Sequence, residues 1–202
     1  MTYCRESPSE RYRELIGLYR RLHAEGEVRL GLSSEETYPG VSLLPHVSRI
    51  KQLIEHTGSR TLLDYGCGKG QQYDAVDLDL PGIGRIESII DYWGIDEVNC
   101  YDPCVPKFDR LSGEPADGVI ATDVLEHCPE DDVPWIVAEI FSHARRFVFA
   151  SIACYLAKTR LPNGENAHCT IRSPEWWQEV FSSAGCDHPE VVWKIAFDTA
   201  GK

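Results

Sequence analysis

The chain has 202 residues, 43% hydrophobic and 26% charged, with a formal net charge of −12 and a sequence pI near 5.0. That length carries one sizeable core, and the acidity excludes a broad phosphate-binding surface, because a nucleic-acid partner requires a basic stripe to displace counterions. No stretch reaches the roughly 18 uninterrupted apolar residues of a membrane span, and the polar opening MTYCRESPSERYRE has no apolar signal-peptide core, so a single-domain cytoplasmic protein is expected.

The first predicted element is an amphipathic helix over Ser9 to Glu25, with Leu15, Leu18, Tyr19 and Leu22 at helical spacing. Arg11, Arg13, Arg20 and Arg21 share it with Glu10 and Glu14, so its basic residues read as a solvated face. A turn at Tyr38-Pro39-Gly40 precedes a second helix from Val47 to Glu55. Residues 1–58 are expected to pack on or lid a core spanning 59–202, with Tyr38 and His46 as contributors to the lid.

Thr61 to Gly70, TLLDYGCGKG, is an apolar strand ending in an acid, then three glycines at alternate positions. Glycines there let the backbone turn sharply and present N–H groups to a ligand. A P-loop requires Ser or Thr after its lysine, whereas Gly70 follows Lys69. A dinucleotide fingerprint requires G-x-G-x-x-G, whereas the glycines stand at 66, 68 and 70. Downstream, Asp77 to Gly84 reads as an inserted loop, Ile86 to Trp93 as a helix, and Val98 to Asp102 as a short strand ending in an acid. Asp117 to His127, DGVIATDVLEH, reads as a buried strand and loop, followed by a helix at Val133 to Ala144 and a strand at Arg146 to Cys154. A polar loop spans Leu161 to Arg172. Ser173-Pro174 opens a helix running to Ala184, and Val191 to Phe197 closes the sheet.

The D-x-G-x-G-x-G motif, the acid at 102 and the D-V-L-E-H run together resemble the class I S-adenosylmethionine-dependent methyltransferases of the small-molecule type. The resemblance implies an α/β fold, a Rossmann-like doubly wound, seven-stranded, mostly parallel sheet with helices on both faces. It implies S-adenosylmethionine as cofactor, held by Asp64, Gly66, Cys67, Gly68 and Gly70, by Asp102 and Pro103, and by Thr122, Asp123 and Val124. Asp102 resembles the acid that accepts from the ribose hydroxyls, although it lies 38 positions after Asp64, against about 20 in such a unit. An insertion over about 74–95 accounts for the excess.

His127 and His168 are the candidate general bases, since histidine titrates in the useful range; for His127 a local structural role stays open. Asn163, Asn166, Arg172 and Trp176, with Trp177 beside it, are candidates for an acceptor pocket, with a turn at Asn163-Gly164 and a core-facing helix as the plain alternatives. The expected reaction is methyl transfer to an oxygen or nitrogen of a small polar metabolite, natural-product or glycan intermediate. A non-catalytic cofactor-binding module and a nicotinamide oxidoreductase are the alternatives. A small-molecule substrate is implied, with no nucleic acid or membrane partner and with a homodimer as an open assembly. Eight cysteines include no C-x-x-C pair; Cys100, Cys104, His127 and Cys128 are one conceivable zinc set, but reduced thiols and no metal are expected.

Overall fold

In chain order the elements are α1 (Glu10–Glu25), α2 (Val47–Thr57), β1 (Thr61–Tyr65), α3 (Gln71–Asp74), β2 (Leu78–Leu80), β3 (Gly84–Ile86), α4 (Ile89–Trp93), β4 (Glu97–Tyr101), β5 (Ala116–Thr122), α5 (Val133–Ser142), β6 (Ala144–Ala153), α6 (Pro174–Gly185) and β7 (Val192–Asp198). They come from a computed structural model that describes residues 3–199. Five strands form one sheet in the order β4-β1-β5-β6-β7, every neighbouring pair parallel.

Strand alternation sorts the core into two layers. Leu63, Val119, Ala121, Val148 and Ala150 meet α5 and α6 on one face. Leu62, Ile120, Phe147 and Phe149 meet α2 and α4 on the other. Strands covered on both faces lose polar alternation and become continuous apolar runs, as in β5 and β6.

The expected seven-stranded sheet is corrected to five. The stretch read as a loop at 77–84 instead carries β2, and β3 follows directly as its antiparallel partner. Each has three residues and pairs with the other, while Leu80 packs into the α2–α4 layer. The insertion therefore covers one face instead of lengthening the sheet. The helix expected from Ile86 begins at Ile89, because the Ser88 side chain accepts the Asp91 N–H and starts it there. Among the described residues no helix is long and apolar enough to cross a membrane.

Helix α1 lies over the carboxyl ends of the strands. Its Leu15, Tyr19 and Leu22 are buried against Cys104, Leu161 and Ala167. Its start is stapled to α5: the fully buried Asp132 carboxylate accepts from the Ser9 N–H at 3.0 Å, the Ser9 hydroxyl and the Trp135 indole N–H at 2.8 Å. Hydrogen bonds to a charged group contribute about 1.5–3 kcal/mol each, and a stranded buried donor costs about 1–3 kcal/mol. Asp132→Ala is therefore expected to lower stability by about 2–4 kcal/mol in urea unfolding. Hydrogen exchange should speed up most at the start of α1.

Candidate active site

Strands β4, β1 and β5 end side by side, and the chain leaves β1 toward opposite neighbours, first to β4 and then to β5. In a parallel sheet this reversal opens a crevice outside the carboxyl ends. The loop after β1 is built on left-handed backbone: Gly66, Gly68 and Gly70 have φ of +83°, +59° and +68°. Its first two N–H groups donate to Tyr101 O, at 2.7 Å from Gly66 and 3.1 Å from Cys67.

Asp102 completes the turn. One carboxylate oxygen accepts from Gly68 N at 3.0 Å and the other from Cys104 N at 2.8 Å. A Cβ on Gly66 would stand 2.4 Å from a Val124 methyl, so the loop also touches the end of β5.

A strap at Thr37–Tyr38 closes the crevice from above. Lys69 N donates to Tyr38 O at 3.1 Å and Lys69 Nζ to Thr37 O at 2.6 Å. Tyr38, at φ +51°, packs edge-on against His127 and Tyr19. The cavity below the strap measures about 120 Å³, small against the roughly 300–1,000 Å³ of a typical ligand pocket.

Nine of the ten expected cofactor contacts line this cavity: Asp64, Gly66, Cys67, Gly68, Asp102, Pro103, Thr122, Asp123 and Val124, together with His127. Gly70 does not; it precedes α3, and a Cβ there would meet the Phe108 ring at 3.1 Å. His168 is buried beside the cavity wall, its ring 4.8 Å from that of His127.

The expected acceptor residues do not line this cavity. Asn163 caps the Glu165 N–H within its own turn. The Asn166 amide bridges Ala157 N and O. Arg172 pairs with Glu130 on the surface. Trp176 sits edge-on to the buried Trp177 in the α6 layer. His46 packs on Phe149, and Tyr38 alone of the two expected lid residues reaches the cavity. Among the described residues the ligand atoms of Cys100, Cys104, His127 and Cys128 are not a converging group, and no cysteine is in a disulfide.

Sequence reading missed Tyr19, His23 and Gln72, which also line the cavity. Tyr19 and His23 are four residues apart on α1, a spacing that marks one helix face but not what it covers. Four buried polar atoms at this site have no hydrogen-bond partner among the described residues: Asp64 Oδ1, Gln72 Oε1, Tyr38 OH and His127 Nε2. Buried polar atoms are nearly always paired, so a cluster of orphans marks a place for polar ligand groups.

Burial sets the ionisation here. Burial pushes the Asp64 carboxyl up to about 7 against the donated hydrogen bonds of Tyr73 and Gln72. It pushes Asp102 up to about 6. His127 is lowered to about 4, chiefly by burial, and His23 likewise to about 4, with Lys69 adding to the effect.

A raised carboxyl binds its proton more tightly in the folded state, so stability falls as pH rises from the unfolded value near 4 through about 7. For Asp64 that shift corresponds to on the order of 4 kcal/mol once ionised. The melting temperature of Asp64→Asn is thus expected to depend less on pH between 5 and 8 than that of the wild type. Parallel pH dependences in thermal scans would refute the assignment.

Compared with protein-family models, with curated proteins and with solved structures, the chain has no match in any of the three.

Proposed function

We propose that this chain is an S-adenosylmethionine-dependent methyltransferase of the Rossmann-like class I kind, acting on an oxygen or nitrogen of a small polar metabolite, natural-product or glycan intermediate. The observation that carries the reading is the Asp102 carboxylate, tied to Gly68 and Cys104 N–H groups at a cavity with four unpartnered polar atoms. A carboxylate has about four acceptor sites. Two are taken by backbone, and two suit adjacent ribose hydroxyls.

The other orphans fit the rest of the cofactor. Asp64 Oδ1 and Gln72 Oε1 are acceptors for an ammonium group, and Val124 offers an apolar edge beside Thr122 for an adenine. When bound, S-adenosylmethionine supplies an electrophilic sulfonium methyl, so the protein's task is alignment and exclusion of water. Tyr19 and Tyr38 wall the cavity on the solvent side. His127 is neutral at pH 7 and keeps an unpartnered Nε2 at the wall. The net acidity favours a neutral or cationic acceptor over a polyanion, and a cytoplasmic location belongs to the same proposal.

Calorimetric titration with S-adenosylhomocysteine, beside a dinucleotide control, tests the cofactor without knowledge of the acceptor. Saturable binding of the first alone is the expected result. Binding of the dinucleotide alone would transfer the site to redox chemistry, and binding of neither would remove the cofactor from the proposal.

A further inference from the structure

We infer that Asp123, His127 and His168 form a binding site for one divalent transition-metal ion, with open coordination positions turned to the cavity. One ligand atom from each lies within 4.8 Å of the other two, and among the described residues no other such group occurs. Ligand atoms about 2.1 Å from a shared ion stand about 3.0–3.4 Å apart in cis-octahedral or tetrahedral arrangement. Side-chain rotations that close the widest pair by about 1–2 Å bring the three donors onto one ion.

The hydrogen bonds around the two rings fix which nitrogen is free. His168 Nδ1 lies 2.6 Å from Tyr155 O, and a carbonyl only accepts, so Nδ1 carries the proton and Nε2 presents a lone pair. The Tyr19 hydroxyl donates to Ala167 O. Its one proton is thereby spent, and His127 Nδ1, 2.9 Å from Tyr19 OH and 3.0 Å from Ala167 O, is left as a donor. His127 Nε2 then also presents a lone pair, buried and without a partner. Backbone carbonyls holding the far nitrogen of each ring are the usual outer support of metal-binding histidines.

His168 Nε2 faces Asp123 Oδ1 at 4.0 Å, so two acceptors point at one another. A cation between them gives His168 Nε2, Asp123 Oδ1 and the orphaned His127 Nε2 a common partner. Asp123 holds this position at φ +62°, a strained backbone for a residue that is not glycine. Two neutral imidazoles and one carboxylate select a borderline ion such as Fe²⁺ or Zn²⁺ over Mg²⁺ or Ca²⁺, with Mn²⁺ as a weaker, spectroscopically visible stand-in. Asp123 and His127 line the cavity, so vacant positions of the ion would accept an oxygen ligand from there. This site stands whether or not the cavity holds S-adenosylmethionine.

The test is calorimetry of the chelator-treated full chain with Mn²⁺ and with Zn²⁺, checked by the electron paramagnetic resonance of bound Mn²⁺. One saturable site is expected, weakened more than about 100-fold in both His168→Ala and Asp123→Asn, beyond the 10–100-fold typical of outer-shell changes. Asn tolerates the left-handed backbone at 123, so Asp123→Asn keeps the fold while weakening the ligand. His188→Ala, at a histidine far along the sequence in the 186–190 turn, should bind as the wild type does. Absence of binding to the wild type, or undiminished binding in both site variants, overturns the inference. S-adenosylhomocysteine titrated into the same metal-free protein reports on the cofactor separately, so either result can fail without the other.

Discussion

Gly68→Val is expected to abolish S-adenosylhomocysteine binding and to lower the melting temperature by several degrees. The residue sits at φ +59°, and a Cβ there would lie 2.4 Å from the Tyr38 carbonyl oxygen. A left-handed backbone costs a residue with a Cβ about 1–2 kcal/mol, and valine's branching worsens the contact. The strap must then lift, carrying with it the Lys69 N to Tyr38 O bond, and the Gly68 N–H to Asp102 bond is strained from the other side. Gly31→Val is the control, because Gly31 has φ +69° but a Cβ there would meet nothing within 4 Å. It should share the backbone strain and keep full binding. Comparable loss of binding in both variants would attribute the effect to general destabilisation.

Replacing Asp102 by Asn should weaken S-adenosylhomocysteine binding by about 5–140-fold and remove most of its pH dependence. The amide oxygen can accept from Gly68 N or from Cys104 N, whereas its NH₂ opposes the other N–H. An unsatisfied buried donor costs about 1–3 kcal/mol, and each 1.4 kcal/mol is a factor of ten. The wild-type carboxyl has its folded value raised to about 6 by burial. Under the proposed function it accepts from the cofactor's hydroxyls above pH 6 and becomes protonated below, so wild-type affinity should drop as pH falls from 7 to 5. The variant has no such group to titrate. Titrations at pH 5, 6, 7 and 8 on both proteins check this, and a wild-type affinity that is level across the range would dissociate Asp102 from the ligand.

The glycine turn was legible because its constraint is local, whereas Asp102 and Asp123 were singled out by the family resemblance and are found lining the cavity. A strand that must turn through left-handed backbone needs glycine whatever lies around it, and Gly66 and Gly68 stand where that requirement placed them. The acceptor residues were illegible for the opposite reason. Asn163, Asn166 and Arg172 look alike as pocket donors or as turn and surface groups, and only the docking of α1 over their loop, with Arg11 pairing to Glu165, decides between the two.

Apolar periodicity together with the capping residues Ser9 and Ser173 determined most of the alternation of strands and helices and where α1 and α6 begin, because capping and burial patterns act within a few residues. It read 77–84 as a loop and so missed β2 and β3. Three-residue strands bring too few ladder bonds to fix their partner, so packing of Leu80 against the α2–α4 layer assigned them to a separate hairpin. The convergence of Asp123, His127 and His168 has the same origin: residues 41 positions apart along the chain meet because β6 returns parallel to β5 and α1 presses the following loop onto the strand ends. Local chemistry can be read from order along the chain, whereas contacts between distant segments are set by the free energy of the whole packed core.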